Sequence, residues 1–152
     1  MKRLLVVYHS HGWRTEALAQ AAAEGARQAG AELEVRCERA LSLGLEDFLA
    51  ADAYLFATPE TFGSLSGALK DFFERVFYPA QGKVSGRPYA IIVCAGEDGQ
   101  GAIQSIQRIA RGFPLREVQA PLRVHRDAVA DSLPLAAELG GTLGAGLLIG
   151  IY

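Results

Sequence analysis

Hydroxyl, glycine and basic residues follow the first predicted strand, in the segment His9–Glu16 that leads into a helix. Ser10 and Thr15 could each donate a hydroxyl hydrogen bond to a phosphate group, and Arg14 could add positive charge. The free N–H groups and the dipole at the start of a helix favour an anion at the same place. An alternative is that Ser10 or Thr15 only caps the helix. The predicted anion-binding residues are Ser10, His11, Gly12, Trp13, Arg14 and Thr15.

A second loop, within Thr58–Asp71, joins a buried strand to an amphipathic helix. The apolar run Ala53–Ala57 precedes it, and apolar residues from Leu69 onward follow at the spacing of one buried helix face. Plain connections between a strand and a helix need only about two to six residues, whereas this one has about ten. Its small residues would let the backbone approach a flat ligand, the alternative being a structural turn. The predicted contacts are Pro59, Glu60, Thr61, Phe62, Gly63 and Ser64.

A third loop, Ala95–Gly101, follows another apolar run and is rich in glycine. Parallel sheets bind ligands beyond the carboxyl ends of their strands, so all three loops are expected to meet at one edge. Glu97 and Asp98 could form a solvated turn or bind magnesium. The predicted ligand contacts here are Ala95, Gly96, Glu97, Asp98 and Gly99.

The elements that must position these loops alternate between strands and helices. Strands are predicted over Arg3–Tyr8, Leu33–Cys37, Ala53–Ala57, Tyr89–Cys94 and, weakly, Val118–Val124. Helices are predicted over Thr15–Ala29, Ser66–Phe77, Gly101–Arg111 and Leu133–Leu148, with a short one around Leu45–Ala50. This alternation predicts an α/β fold with three α/β/α layers around a doubly wound, five-stranded parallel sheet.

The last predicted helix carries the most specific expectations. Asp131 and Ser132 would cap it, and Pro134 would lie in its first turn. Its glycines would allow close contact with the sheet.

Composition fits one domain, covering residues 1–152, since 50% of the 152 residues are hydrophobic. The net charge of −2 predicts no nucleic-acid or anionic-lipid partner. The apolar runs are shorter than the ~20 residues of a membrane span, and the first strand lacks a signal-peptide cleavage site. Cys37 and Cys94 are expected to be reduced thiols in a cytoplasmic protein.

Other site classes that use this architecture are excluded by their missing motifs. The first loop has a single glycine, unlike a dinucleotide-binding loop, and the chain contains no P-loop sequence. Tyr8 and His9 stand where a response-regulator receiver needs acidic residues, and neither cysteine begins the Cys-x-x-x-x-x-Arg motif of low-molecular-weight phosphatases. His9 and His11 share a face, but no third ligand follows, so no metal site is predicted.

The loops resemble the flavodoxin-like superfamily, and in particular the WrbA-type NAD(P)H:quinone oxidoreductases. The resemblance spans most of residues 3–112. Tyr8, Ser10 and Thr15 resemble the family's Ser-x-x-Gly-x-Thr phosphate loop. Uncharacterised bacterial flavodoxin family proteins carry similar Arg-Pro-Tyr-Ala and Cys-Ala-Gly-x-Asp-Gly-x-Gly segments. The family's second loop, Pro-Thr-x-Phe-Gly-x-Met-Ser-Gly-x-Met-Lys, is matched at Pro59, Phe62, Gly63, Ser66, Gly67 and Lys70, with Leu65 and Leu69 in the methionine positions.

The resemblance implies FMN as cofactor, with its phosphate on residues 10–15 and its isoalloxazine ring between residues 59–65 and 95–101. Glu60, Glu97 and Asp98 could then accept N–H groups of the flavin ring. It implies an NAD(P)H-dependent oxidoreductase that passes electrons to a quinone or similar small acceptor. No catalytic side chain is needed, because the cofactor carries the chemistry. A homodimer or higher homo-oligomer is compatible with this class.

Departures from the family pattern leave two other functions open. The glycine of the first loop, Gly12, is displaced by one position, and Trp13 could crowd the phosphate or shield the flavin. The long insertion after the fourth strand and the late Tyr-His pair of the quinone reductases are absent. One alternative is a flavodoxin-type electron carrier that serves a redox partner protein, although such carriers tend to be strongly acidic. The other is a flavin-free binding module.

Overall fold

A computed structural model describes all 152 residues, Met1–Tyr152. The strands are β1 (Lys2–Tyr8), β2 (Leu33–Arg39), β3 (Ala53–Pro59), β4 (Pro88–Ala95), β5 (Arg116–Glu117) and β6 (Leu122–His125). The helices are α1 (Arg14–Arg27), α2 (Leu45–Ala50), α3 (Gly67–Ala80), α4 (Gln100–Gly112) and α5 (Val129–Ile149), with a 3₁₀ turn at Ala40–Ser42.

The sheet is parallel throughout, in the order β2-β1-β3-β4, with β5 and β6 both on the outer edge of β4. β2 lies on one side of β1, whereas β3 and all later strands lie on its other side. The reversal lies between β1 and β3, which is where sheets of this topology bind ligands. The predicted doubly wound α/β fold is confirmed.

The fifth predicted strand is two separate strands. β5 pairs with the start of β4, where Pro88 lies opposite Arg116, and β6 pairs with its end, where Ala95 lies opposite His125. Between them, Pro121 has no N–H group to continue the ladder. The prediction of one continuous strand over Val118–Val124 was therefore wrong, and the sheet has six strands.

Helices cover both faces of the sheet because the side chains of its central strands alternate between the two sides. Leu5 and Val7 of β1 pack in the cluster formed with α2, α3 and α4. Leu4 and Val6 pack in the other cluster, with α1 and α5. The predicted buried face of α3 is confirmed, since Leu69, Phe72, Phe73 and Val76 are all buried.

Helix α5 begins at Val129, before the predicted cap. Asp131 and Ser132 lie inside the helix, and the Ser132 hydroxyl donates to the Ala128 carbonyl at 2.7 Å, as a serine within a helix does. Pro134 also lies inside the helix, beyond its first turn. The expectation of a cap at Asp131-Ser132 was wrong. The buried Val129 adds residues to the helix before the predicted cap.

Gly140 and Gly141 of α5 contact α1, whereas Gly144 also contacts Leu33 of β2, as predicted for the sheet. A side chain at Gly140 would collide with the Ala22 carbonyl, and one at Gly25 of α1 would collide with the carbonyl of Ala137. The two helices therefore pack backbone to backbone. By length and composition alone α5 could also cross a membrane, contrary to the expectation that every apolar run is short. Its buried residues pack against α1 and the sheet, as those of a core helix do.

Candidate functional site

A cleft of about 280 Å³ opens at the carboxyl ends of the central strands. All three predicted loops reach it. The predicted residues that line the cleft are Ser10, His11, Gly12, Trp13, Arg14, Thr15, Pro59, Glu60, Ala95 and Gly96. Cys94 and Arg126 line it as well and were not among the predicted contacts.

Seven predicted contacts do not line this cleft. They belong to the outer parts of the second and third loops, and Gly63 and Ser64 line a neighbouring cavity of about 360 Å³ beside α4. The other five are Thr61, Phe62, Glu97, Asp98 and Gly99. The cleft is thus built from the inner ends of the loops, next to the strands.

The Ser10 hydroxyl is engaged within the first loop. It donates to the Gly12 carbonyl at 2.7 Å and accepts from the Glu16 N–H at 3.2 Å. The Ser10 proton is bound to the Gly12 carbonyl and so is not available to a phosphate. Ser10 instead caps the start of α1, which is the alternative role considered from the sequence. Arg39 supports the loop from outside, donating to the Ser10 carbonyl at 3.2 Å and pairing with Glu16 at 2.7 Å.

The start of α1 supplies the donors for an anion. The first N–H groups of a helix have no partner within the helix. The N–H of Glu16 donates to the Ser10 hydroxyl. The N–H groups of Arg14 and Thr15 remain free at the cleft. Thr15 is only 2% exposed and lines the cleft, so little of its side chain is open to bulk solvent.

The Arg14 side chain lines the cleft and is held against the segment that follows β6. Its Nε donates to the carbonyl of Arg126 at 2.9 Å. Its guanidinium carbon lies 5.3 Å from the centre of the Trp13 ring, in a cation–π contact. Trp13 is 56% exposed, so it forms a wall of the cleft and remains open to solvent.

The second loop ends in a tight turn at Phe62 and Gly63. Thr61 and Ser64 exchange two backbone hydrogen bonds, at 2.8 and 3.1 Å. The turn gives Phe62 a φ of 51° and Gly63 a φ of 72°. Left-handed backbone is unusual for a bulky residue, and such conformations cluster at ligand-binding loops. The Phe62 ring is also fully exposed at the tip of the loop.

Hydrogen bonds join the second loop to the other two. The His11 Nε2 atom lies 3.2 Å from the Thr61 hydroxyl. The Glu60 N–H donates to the Cys94 carbonyl at 2.9 Å, and the Glu60 carboxylate accepts from the N–H of Ala102 at 3.1 Å. One carboxylate oxygen of Glu60 therefore caps α4, a role that the sequence prediction missed.

The third loop is a turn that begins α4. The Asp98 carboxylate accepts from the Gln100 N–H at 3.0 Å, and Gly99 has a φ of 71° that favours glycine. A side chain at Gly101 would collide with the Gly63 carbonyl, so the second loop rests directly on α4. Asp98 thus matches the predicted turn. No group of three or more His, Cys, Asp or Glu side chains that could hold a metal ion occurs in the chain.

The charges around the cleft are mainly positive. Burial raises the pKa of the Cys94 thiol, and the nearby charges of Arg14 and Arg126 partly oppose this rise. Burial, followed by the neighbouring His11 and Arg39, lowers the pKa of His9, which favours its neutral form. Arg14 and Arg126 line the cleft and the Glu60 carboxylate is engaged with Ala102, so an anionic ligand is better suited to this cleft than a cationic one.

A larger groove of about 460 Å³ lies elsewhere, between α3 and α4. It is lined by Phe73, Phe77 and Tyr78 among others, with Lys70, Glu74 and Arg108 at the polar positions. It does not reach the carboxyl ends of the strands. The smaller cleft is the candidate site because it combines backbone donors, cationic side chains and the topological switch point.

The fold and the cleft define a flavodoxin-like protein, and comparison with known proteins extends this to a family. The sequence profile of the NADPH-dependent FMN reductase family matches residues 38–118, just over half of the chain. The chain therefore belongs to this family. Membership indicates FMN as the cofactor and fits NAD(P)H as the electron donor.

Individual relatives agree with this assignment. A flavodoxin of Aquifex aeolicus is 32% identical over 101 residues, covering 66% of this chain and 52% of the relative. An NAD(P)H dehydrogenase (quinone) of Acidithiobacillus ferrooxidans is 31% identical over 94 residues, covering 49% of this chain and 47% of the relative. The chain thus spans about half the length of these curated relatives.

Solved structures agree on the fold. The flavodoxin, WrbA-like protein from Agrobacterium tumefaciens superimposes with a TM-score of 0.76 at 22% identity, covering 95% of this chain and 96% of that one. The predicted flavodoxin-like, WrbA-type relationship is confirmed.

The residues of the cleft fit a flavin mononucleotide at its phosphate end. A phosphate dianion needs N–H, O–H and cationic donors, and the cleft presents the start of α1, Thr15 and two arginines. The Glu60 carboxylate would repel a phosphate, but it is bound to the N–H of Ala102. The ring end would lie toward Pro59 and Gly96, where backbone rather than charge forms the wall.

Proposed function

We propose that this protein binds FMN in the cleft at the ends of β1, β3 and β4 and acts as an NAD(P)H-dependent oxidoreductase toward a quinone or similar small acceptor. The observation that carries the proposal is the convergence of the three loops on one cleft with free N–H groups and unpaired cations. Family membership and the name of the quinone-dehydrogenase relative support the choice of donor and acceptor.

In this proposal the residues of the chain bind and orient, and FMN, when bound, supplies the redox chemistry. The N–H groups of Arg14 and Thr15 and the Thr15 hydroxyl hold the phosphate. Pro59, Glu60 and Gly96 border the ring. Trp13, which lines the cleft, and Phe62, at the exposed tip of the second loop, are the aromatic side chains available to contact a planar substrate.

A flavodoxin-type electron carrier is the second candidate, supported by the name of the Aquifex relative. Carriers use charge to steer toward a partner protein. The net charge of −2 provides little steering, and the third loop contains no aromatic residue that would cover a flavin ring. Both features favour direct access by a small substrate, so the oxidoreductase is the first choice.

The test begins with the visible spectrum of the purified protein and a titration of its flavin-free form with FMN. We expect flavin absorption bands or saturable quenching of FMN fluorescence. A protein that stays colourless and leaves FMN fluorescence unchanged would contradict the proposal and favour a flavin-free module. Oxidation of NADH or NADPH with a soluble quinone then separates the two redox candidates. The oxidoreductase turns over by itself, whereas a carrier needs an added reductase.

A further inference from the structure

Arg126, which follows β6, is held beside the first and third loops by its own backbone. Its N–H donates to the Ala95 carbonyl at 2.9 Å, and its carbonyl accepts from Arg14 Nε at 2.9 Å. The neighbouring His125 adds a third connection, because its Nε2 lies 3.0 Å from the Gly96 carbonyl. Arg126 thus forms a fourth wall of the cleft, and His125 holds it next to the third loop.

The Arg126 side chain runs along the third loop and makes no ion pair. A methyl group on Gly96 would lie 3.5 Å from Arg126 Cδ, which places the stem of the side chain against that glycine. The ion pairs of the protein involve seven other basic residues and neither Arg14 nor Arg126. Both charges also act on the Cys94 thiol inside the cleft.

Two unpaired guanidinium groups on one cleft repel each other unless an anion lies between or beside them. The hydrogen bond from the Arg14 side chain to the Arg126 carbonyl nevertheless holds the two residues together. A phosphate group would relieve this repulsion, and arginine suits phosphate because it donates in a planar fork.

We propose that Arg126 is a phosphate-binding residue, which together with Arg14 binds the phosphomonoester of FMN and so distinguishes FMN from the phosphate-free riboflavin. The inference rests on the proposed function, since it assumes that FMN occupies the cleft. It adds a residue that lies outside the three loops and outside residues 38–118, the part matched by the family profile.

The test compares FMN with riboflavin in fluorescence titrations of the wild type, Arg126→Gln and Arg126→Lys. Arg116→Gln is the matched control, because Arg116 is an exposed arginine of β5 that does not line the cleft. Hydrogen bonds to charged groups contribute about 1.5–3 kcal/mol, so we expect Arg126→Gln to raise the Kd for FMN by about 10- to 100-fold. The Kd for riboflavin should stay unchanged, Arg126→Lys should keep most of the affinity for FMN, and Arg116→Gln should match the wild type.

Each other outcome has its own meaning. Unchanged FMN affinity in Arg126→Gln, with a wild type that binds FMN, would overturn the inference and leave the proposed function intact. Equal weakening of FMN and riboflavin would also overturn it, because Arg126 would then only support the third loop. A wild type that binds neither flavin would contradict the proposed function itself. Thermal unfolding of each variant checks that its fold is kept.

Discussion

At the scale of residues, the Ser10 and Thr15 hydroxyls of the first loop have different environments, although the sequence presents them as equivalent. The Ser10 hydroxyl bonds to Gly12 and Glu16 and shapes the loop. Thr15 is held by burial at the first turn of α1 with its side chain at the cleft. Ser10 therefore contributes to the stability of the loop, and Thr15 is the better candidate for contact with a phosphate.

Thr15→Val tests this division. Valine keeps the shape of threonine but removes the hydroxyl, which would leave phosphate oxygens without a donor. We expect the free energy of FMN binding to weaken by about 1–3 kcal/mol. Isothermal titration calorimetry measures the change, and Thr142→Val, at an exposed position of α5, is the matched control. Equal FMN affinity in the two variants would remove the phosphate-loop assignment.

His9 gives a pH dependence whose sign follows from its environment. Its pKa is lowered from the ordinary value of 6.5, first by burial and then by His11 and Arg39. The unfolded chain therefore binds a proton at a higher pH than the folded protein does. The resulting contribution to stability is present above about pH 6.5 and is lost as the pH falls toward the folded-state pKa.

We expect the free energy of unfolding of His9→Gln to depend less on pH in this range than that of the wild type. The measurement is the urea-unfolding free energy of the flavin-free protein between neutral pH and about pH 5, the range in which histidine titrates. Wild type should lose more stability than His9→Gln as the pH falls. Parallel curves would show that His9 is not responsible.

At the scale of elements, the packing of α1 against α5 depends on residues without side chains. Gly25 and Gly140 each face a carbonyl of the other helix, and the alanines of α1 complete the contact. Since α1 begins at the cleft, its position relative to the sheet also sets where its free N–H groups point. The small residues of α5 thus help to position the site from a distance.

Gly140→Ala is expected to destabilise the protein, although alanine favours helices by about 1 kcal/mol over glycine. Its methyl group would collide with the Ala22 carbonyl, and overpacking costs about 1–3 kcal/mol. Chemical denaturation measures the change. Gly67→Ala, at the first position of α3 with open space around it, is the control and should be neutral or stabilising. A Gly140→Ala variant as stable as the control would contradict the backbone contact.

At the scale of the whole molecule, the site joins segments that are distant along the chain. His11 contacts Thr61, Glu60 contacts Ala102, and Arg14 contacts Arg126. The cleft therefore exists only when both halves of the sheet are assembled. A ligand that fills it should stabilise the entire fold rather than one loop.

FMN is accordingly expected to raise the midpoint of thermal unfolding in a concentration-dependent way. A ligand that binds only the folded state stabilises by about 2.7 kcal/mol at one hundred times its Kd. Differential scanning fluorimetry with FMN and with riboflavin measures the shift. FMN should give the larger shift at equal concentration, because only FMN carries the phosphate. Equal shifts, or no shift with FMN, would contradict phosphate binding at the cleft.

Local patterns in the sequence were sufficient to predict the fold class and the three loops. Apolar runs identify β1, β3 and β4 because central parallel strands are buried on both faces. The spacing from Leu69 identifies the buried face of α3, and glycines and hydroxyls identify the loops between them. These signals are local, since each depends on residues that are close together along the chain.

The tertiary structure decided which residues face the cleft and which support it. Arg126 lies 112 positions from Arg14, and no local pattern relates the two. The same holds for Glu60, whose carboxylate caps a helix 42 positions away, and for Gly140 of α5, which contacts α1. The sequence by itself thus determined most of the elements and the three loops, because their signals are periodic and local. Only the folded chain determined the partners, because hydrogen bonds and close backbone contacts depend on where distant segments meet.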